Sequence, residues 1–176
     1  VGEILPLEIV VTPDANQSKI YGDEDPIFAY DFSPGLISED EFDGALSRAE
    51  GENVGIYEYE LGSLTAGGNY SLVLATETFE IVKATPVITW GNPADIVYGT
   101  ALSGTQLNAI ADIDGEDIDG EFVYTPVSGI VLNAGDEQEL SVTFIPTDTV
   151  NYENQTADVL INVTKAPLEV TANDQT

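Results

Sequence analysis

Apolar and polar residues alternate along most of this chain with a period of two, the pattern of strands that pack one face and wet the other. Glu8–Thr12, Val54–Leu61, Tyr70–Ala75, Thr78–Val82 and Val87–Trp90 carry it first. Glu121–Thr125, Glu139–Ile145 and Thr156–Thr164 carry it later. These stretches are rich in β-branched and aromatic residues, and turn signals separate them: Gly67-Gly68-Asn69, Gly91-Asn92-Pro93, Asn133-Ala134-Gly135-Asp136 and Pro146-Thr147-Asp148. Short strands at this spacing predict an all-β chain built of antiparallel, Ig-like β-sandwich modules. One segment departs from the pattern. Ser38-Glu39-Asp40-Glu41 is a capping box ahead of Phe42, Ala45 and Leu46, which predicts one short helical turn within 38–47.

The pattern also repeats. Lys83 and Lys165 each close a strand and precede Ala and a nearby proline, and they lie 82 residues apart. The pairs Asn69-Tyr70 and Asn151-Tyr152 share that spacing, and Tyr21-Gly22 returns as Tyr98-Gly99. Such self-similarity marks tandem modules, here residues 1–83 and 84–165. Leu168-Glu169-Val170 echoes Leu7-Glu8-Ile9, so 166–176 reads as the opening of a next repeat or as a terminal strand. The joint Lys83-Ala84-Thr85-Pro86 is short and contains a proline of fixed φ, which predicts restricted bending between modules.

Composition narrows the function. The chain has 176 residues, 43% of them hydrophobic, enough for two small cores. It carries 32 acidic residues against 4 basic ones, a net charge of −28. Residues 1–83 hold −14 of this and 84–165 hold −12, so neither module is a specialised acidic tail. Nucleic acid and anionic lipid both require clustered cations, so neither is an expected partner. His and Cys are absent, which removes His-based triads, thiol catalysis, disulfides and the usual zinc sites. With Met absent too, no thiol or thioether is available for oxidation outside a cell. No apolar run reaches the length of a membrane helix, so no membrane insertion is expected.

Several clusters invite chemistry. Asp112, Asp114, Glu116, Asp117 and Asp119 fall within eight residues, with Gly115 and Gly120 allowing turns. Carboxylates so spaced on a loop suit calcium, although the spacing is not that of an EF-hand; the other reading is a solvated acidic hairpin. Asp23-Glu24-Asp25 reads either as a second cation site or as a turn between Gly22 and Pro26. Trp90, Tyr98 and Tyr124 would serve as a sugar-stacking face if exposed and as core if buried. Lys19, Lys83 and Lys165 are the lysines that a Lys–Asn cross-link would use. Among so many carboxylates a pair at hydrolase separation arises by chance, and no insertion builds a cleft, so no enzyme is expected.

The stretch Gln17-Ser-Lys-Ile-Tyr-Gly-Asp-Glu-Asp-Pro26, with Gly44-Ala-Leu-Ser-Arg48, Glu50-Gly-Glu-Asn-Val-Gly-Ile-Tyr57 and Ala66-Gly-Gly-Asn-Tyr70, resembles the MBG domain of the YGX type. The second module is similar to a bacterial Ig-like repeat, through Ala84-Thr-Pro-Val-Ile-Thr-Trp90, Ile96-Val-Tyr-Gly-Thr-Ala-Leu-Ser103 and Val131-Leu-Asn-Ala-Gly135. The resemblance implies a secreted or cell-surface bacterial protein of adhesin type, with no catalytic residues. Its partners would be neighbouring repeats of the same chain, and a glycan or surface protein if the module binds. A stalk or adhesive segment is the function it implies first, and a glycan- or protein-binding sandwich the second.

Overall fold

The computed structural model describes residues 4–170. Every regular element among them is a strand, so the chain is all-β. It divides into two compact units, Val1–Ala84 and Thr85–Thr176.

Unit 1 contains β1 (Leu7–Pro13), β2 (Ser18–Ile20), β3 (Tyr30–Ser33), β4 (Ser47–Arg48), β5 (Gly55–Glu60), β6 (Tyr70–Leu74) and β7 (Thr78–Val82). They form two sheets, ordered β3-β1-β6 and β2-β7-β5-β4. Alternation decides which side chains face inward. On β1 the odd positions Ile9, Val11 and Pro13 are buried while their neighbours reach water, and on β7 Phe79 and Ile81 do the same. Val11 from one sheet meets Phe79, Ile81 and Tyr59 from the other, with Phe28, Leu46 and Leu64 from the connections completing the core. Burying each such large side chain contributes about 1.5–3 kcal/mol. Phe28 stands edge-on to both Tyr59 and Phe79, with ring centroids 5.2 Å apart in each pair. The Tyr59 hydroxyl is buried there without a hydrogen-bond partner among the described residues. An unmet buried hydroxyl costs about 1–3 kcal/mol, so Tyr59→Phe should leave unit 1 as stable as wild type or up to about 1 kcal/mol more stable in chemical denaturation; a loss would reveal a partner for the hydroxyl.

Unit 2 contains β8 (Val87–Thr89), β9 (Ile96–Val97), β10 (Ile110–Ile113), β11 (Glu116–Asp117), β12 (Gly120–Thr125), β13 (Gly135–Pro146) and β14 (Gln155–Thr164). Its sheets run β11-β10-β8 and β12-β13-β14-β9. The long β13–β14 hairpin is the spine, with a register shift between Gly135 and Gln138. Its inward residues Leu140, Val159, Ile161 and Val163 pack with Ile96, Leu102 and Leu107. Trp90, Tyr124 and Leu132 lie against this core.

Pairing is mostly antiparallel, but β1 with β6, β2 with β7 and β9 with β14 run parallel. The last two pairs explain the repeated Tyr-Gly. In unit 1 the Tyr21 amide donates to the Val82 carbonyl at 2.8 Å; in unit 2 the Tyr98 amide donates to the Thr164 carbonyl at 2.8 Å. Each glycine then turns the chain with positive φ, 93° at Gly22 and 100° at Gly99. Each unit therefore lays a short early strand beside its own last strand and leaves it by the same turn.

The helical turn expected within 38–47 does not form. Ser38 has φ of 59°, which is not the extended geometry of an N-cap. The Tyr70 hydroxyl accepts from the Ile37 amide and donates to Asp40 Oδ2 at 2.6 Å, which holds 37–40 as a turn. Asp43 is then bridged to Thr65. Gly44 has φ of 80°, and a Cβ there would stand 2.2 Å from the Ser63 carbonyl oxygen, so the backbone is tied to Ser63 where a helix would need it free. Tertiary hydrogen bonds outweigh the local capping signal. At the other end, residues 171–176 of the expected C-terminal strand or repeat opening lie outside the described residues, and 166–170 form no strand, with Leu168 and Val170 exposed.

Candidate functional site

The most concentrated chemistry in unit 1 is a four-residue ionic cluster. β2 supplies Lys19, the turn after Gly22 supplies Asp25, β4 supplies Arg48, and the β4–β5 connection supplies Glu52. Lys19 Nζ lies 2.8 Å from Asp25 Oδ1 and is also paired with Glu52. Arg48 grips Asp25 with two parallel bonds, Nε to Oδ2 at 2.8 Å and NH2 to Oδ1 at 2.9 Å, and reaches Glu52 Oε1 at 2.8 Å. Its remaining nitrogen donates to the carbonyls of Ala49 and Gly51. The guanidinium lies over the Tyr57 ring, 4.8 Å from its centroid, and 5.6 Å from that of Phe79. Both cationic side chains are 4% exposed, against 34% for Asp25 and 70% for Glu52.

Protonation follows this geometry. Burial works to lower the pKa of Lys19, but the hydrogen bonds and charges of Asp25 and Glu52 outweigh it and hold the ammonium above its usual range. Burial likewise opposes the Asp25 carboxylate, and Arg48 and Lys19 outweigh it, so its pKa falls. The hydrogen bond to Asp25 does most to raise Arg48, and the bond from Lys19 does most to lower Glu52. The four charges cancel and each cation is held by two carboxylates. A cavity of about 470 Å³ opens beside Asp25, Phe28, Leu46 and Arg48. Asp25, Arg48 and Glu52 on its wall are engaged with one another, so the arrangement stabilises a fold more readily than it binds an ion or activates a nucleophile. A lysine kept cationic in this way is a poor amine for cross-linking.

Asp25 was legible as one member of an acidic turn, and the Asp23 amide does close that turn on the Ile20 carbonyl at 3.1 Å. What the turn reading misses is its partner. Cations are scarce in this chain, and the fold brings two of its four Lys and Arg residues, Lys19 and Arg48, onto Asp25.

The acidic stretch of unit 2 is a tight hairpin. β10 pairs with β11 so that Asp112 faces Asp117 and Ile113 faces Glu116, with Asp114-Gly115 at the tip. Asp114 and Gly115 both have positive φ, 53° and 86°. Asp112 Oδ1 accepts from the Gly115 amide at 3.1 Å. Alternation places Asp112 and Asp117 on one face and Glu116 on the other, while Asp119 follows the hairpin and its carbonyl accepts from the Thr147 amide. Among the described residues no three acidic side chains are grouped so as to hold a metal ion. The melting temperature is accordingly expected to coincide in millimolar calcium and in chelator. A calcium-dependent rise of several degrees would show that the hairpin rearranges around the ion.

Trp90 and Tyr124 come together, with rings edge-to-face and centroids 5.4 Å apart. Trp90 Nε1 donates to the Gln106 carbonyl at 3.0 Å, and the Tyr124 hydroxyl accepts from the Ala109 amide at 2.9 Å. Both are half-buried against the core, with their polar ends engaged. Tyr98 is half exposed, and no ring contact joins it to the other two among the described residues.

Unit 1 is thus a small mixed-sheet sandwich closed by a buried ionic cluster. Residues 9–80 match the family model of the MBG domain (YGX type), a structural repeat unit that is generally non-catalytic. The match runs from β1 into β7 and includes all four members of the cluster. The comparison with curated proteins gives no match.

Proposed function

We propose that the chain is a non-catalytic structural segment of a bacterial extracellular or cell-surface protein, a stalk or adhesive element whose role is spacing and surface rather than turnover. Its second unit then acts as a bacterial Ig-like repeat, and its nearest partners are neighbouring repeats of the same polypeptide. The observation that supports this best is the match of residues 9–80 to a structural repeat domain. The ionic cluster agrees with it, because its cations and carboxylates neutralise one another. The strong negative charge suits a surface protein that must stay soluble and apart from its copies.

The test is localisation. An antibody raised against the chain should label intact cells of the source bacterium or its culture medium, and protease applied to intact cells should remove the cell-bound signal. Signal seen only after lysis would overturn the reading. A glycan array separates the glycan-binding alternative: the structural reading expects no saturable glycan, in keeping with the packing of Trp90 on the core.

A further inference from the structure

A second cavity, about 490 Å³, lies in unit 2. Its lining includes Glu121, Phe122, Val123 and Tyr124, four successive residues of β12. Successive strand residues point to opposite faces. A cavity touched by both faces therefore runs along the edge of the strand, where the backbone N–H and C=O groups look out. That edge is open. β12 is the first strand of its sheet and pairs with β13 alone, and no other backbone hydrogen bond to residues 121–125 is found among the described residues. At six residues it is the longest of the edge strands described. The rest of the lining is Gly104, Leu107, Val127 and Ser128. Val127 is 59% exposed and Val123 is 43% exposed.

Open edges in soluble proteins are usually blunted by lysine, proline, a bulge or brevity. Glu121-Phe-Val-Tyr-Thr125 has no lysine, no proline before Pro126 and a regular register. We propose that this edge is a docking site for an extended strand from another protein, one that alternates apolar residues and carries lysine or arginine at its ends. The outward backbone groups of β12 pair with the incoming strand, and its alternate side chains fill the space between Phe122, Tyr124, Leu107 and Val127. Charge selects the occupant. Glu121 lines the groove, Asp117 and Asp119 precede it in the chain, and Lys165 is the only basic residue in Thr85–Thr176. A second copy of a chain with net charge −28 is repelled from this edge, while a cationic strand is drawn to it.

The test uses the full chain and synthetic peptides of alternating valine and threonine, flanked by lysines, by glutamates, or by lysines with a central proline. In amide NMR titrations the lysine-flanked peptide should shift Phe122–Thr125, Leu107 and Val127 saturably and slow hydrogen exchange along β12. The glutamate and proline peptides should bind at least tenfold more weakly. Gly104→Phe should block binding without lowering the melting temperature, because a Cβ at Gly104 meets nothing within 4 Å and the ring has the groove to fill. The absence of saturable shifts at β12, equal binding of the glutamate peptide, or binding that survives Gly104→Phe would each overturn the proposal. So would concentration-dependent self-association that shifts the same amides, since the occupant would then be a second copy.

Discussion

Arg48→Met should cost unit 1 about 3 kcal/mol and lower its unfolding midpoint by about 12–24 °C, a shift proportionate to a domain of this size. Methionine keeps an apolar stem in contact with Tyr57 and Phe79 but deletes every polar contact of the guanidinium. Asp25 then loses its two-pronged partner while remaining two-thirds buried, and the carbonyls of Ala49 and Gly51 lose their donor. Removing one member of a buried ion pair typically costs about 3–5 kcal/mol; the low end applies because Glu52 is 70% exposed and water takes over its lost contact. Arg48→Lys should fall between the two, restoring the charge without the fork that matches a carboxylate. The readout is amide exchange or chemical shift of unit 1 residues during denaturation. The single tryptophan, Trp90, lies in unit 2 and reports that unit instead. A variant within about 0.5 kcal/mol of wild type would mean that the cluster is no more than a surface ornament, in the range of exposed salt bridges.

The parts of the fold that could be read from sequence are those where alternation runs long enough to fix a register. β1, β5, β6, β7, β12, β13 and β14 were all visible in this way. β2, β4 and β9 were not, because two or three residues cannot show a period. Their existence depends on partners distant in the chain, as when Ile20 pairs with Val82. β10 and β11 show no alternation because aspartate and glutamate signal loops, and of the two readings of the acidic stretch it is the hairpin that forms, turned back at Asp114-Gly115. The helical turn at 38–47 failed because a capping box is a local signal, while Tyr70, thirty residues on, supplies the competing hydrogen bonds. Of the candidate rings Trp90, Tyr98 and Tyr124, the first and last meet and Tyr98 stands apart from them; whether such rings face water or core is a tertiary fact that their spacing does not carry. The ionic cluster shows the same limit. Lys19, Asp25, Arg48 and Glu52 all fall in the stretches that resemble the MBG domain, yet nothing in their spacing along the chain shows that the fold gathers them around one guanidinium.

Acid should erase most of the difference between wild type and Arg48→Met. Asp25 and Glu52 are both held below their ordinary values of 3.8 and 4.5 in the folded unit. A carboxylate with a depressed folded pKa adds stability above its unfolded pKa and loses it as pH falls through the folded one. Lys19 has the opposite sign: held above 10.5, it contributes fully below that value and loses its contribution as pH rises beyond it. The cluster is therefore at full strength from about pH 5 to about pH 10. Absolute stability will not isolate this effect. With a net charge of −28, protonating carboxylates also relieves repulsion across the whole chain, which favours the compact state in both proteins. The difference between them cancels that shared part. Measured by denaturant titration at successive pH values, the gap should stay level through neutral pH, narrow as the pH drops through 4, and shrink further as the carboxylates of Asp25 and Glu52 take up protons. A gap that persists undiminished in strong acid would show that Arg48 stabilises unit 1 through its contacts with the Tyr57 and Phe79 rings and the two backbone carbonyls rather than through the carboxylates.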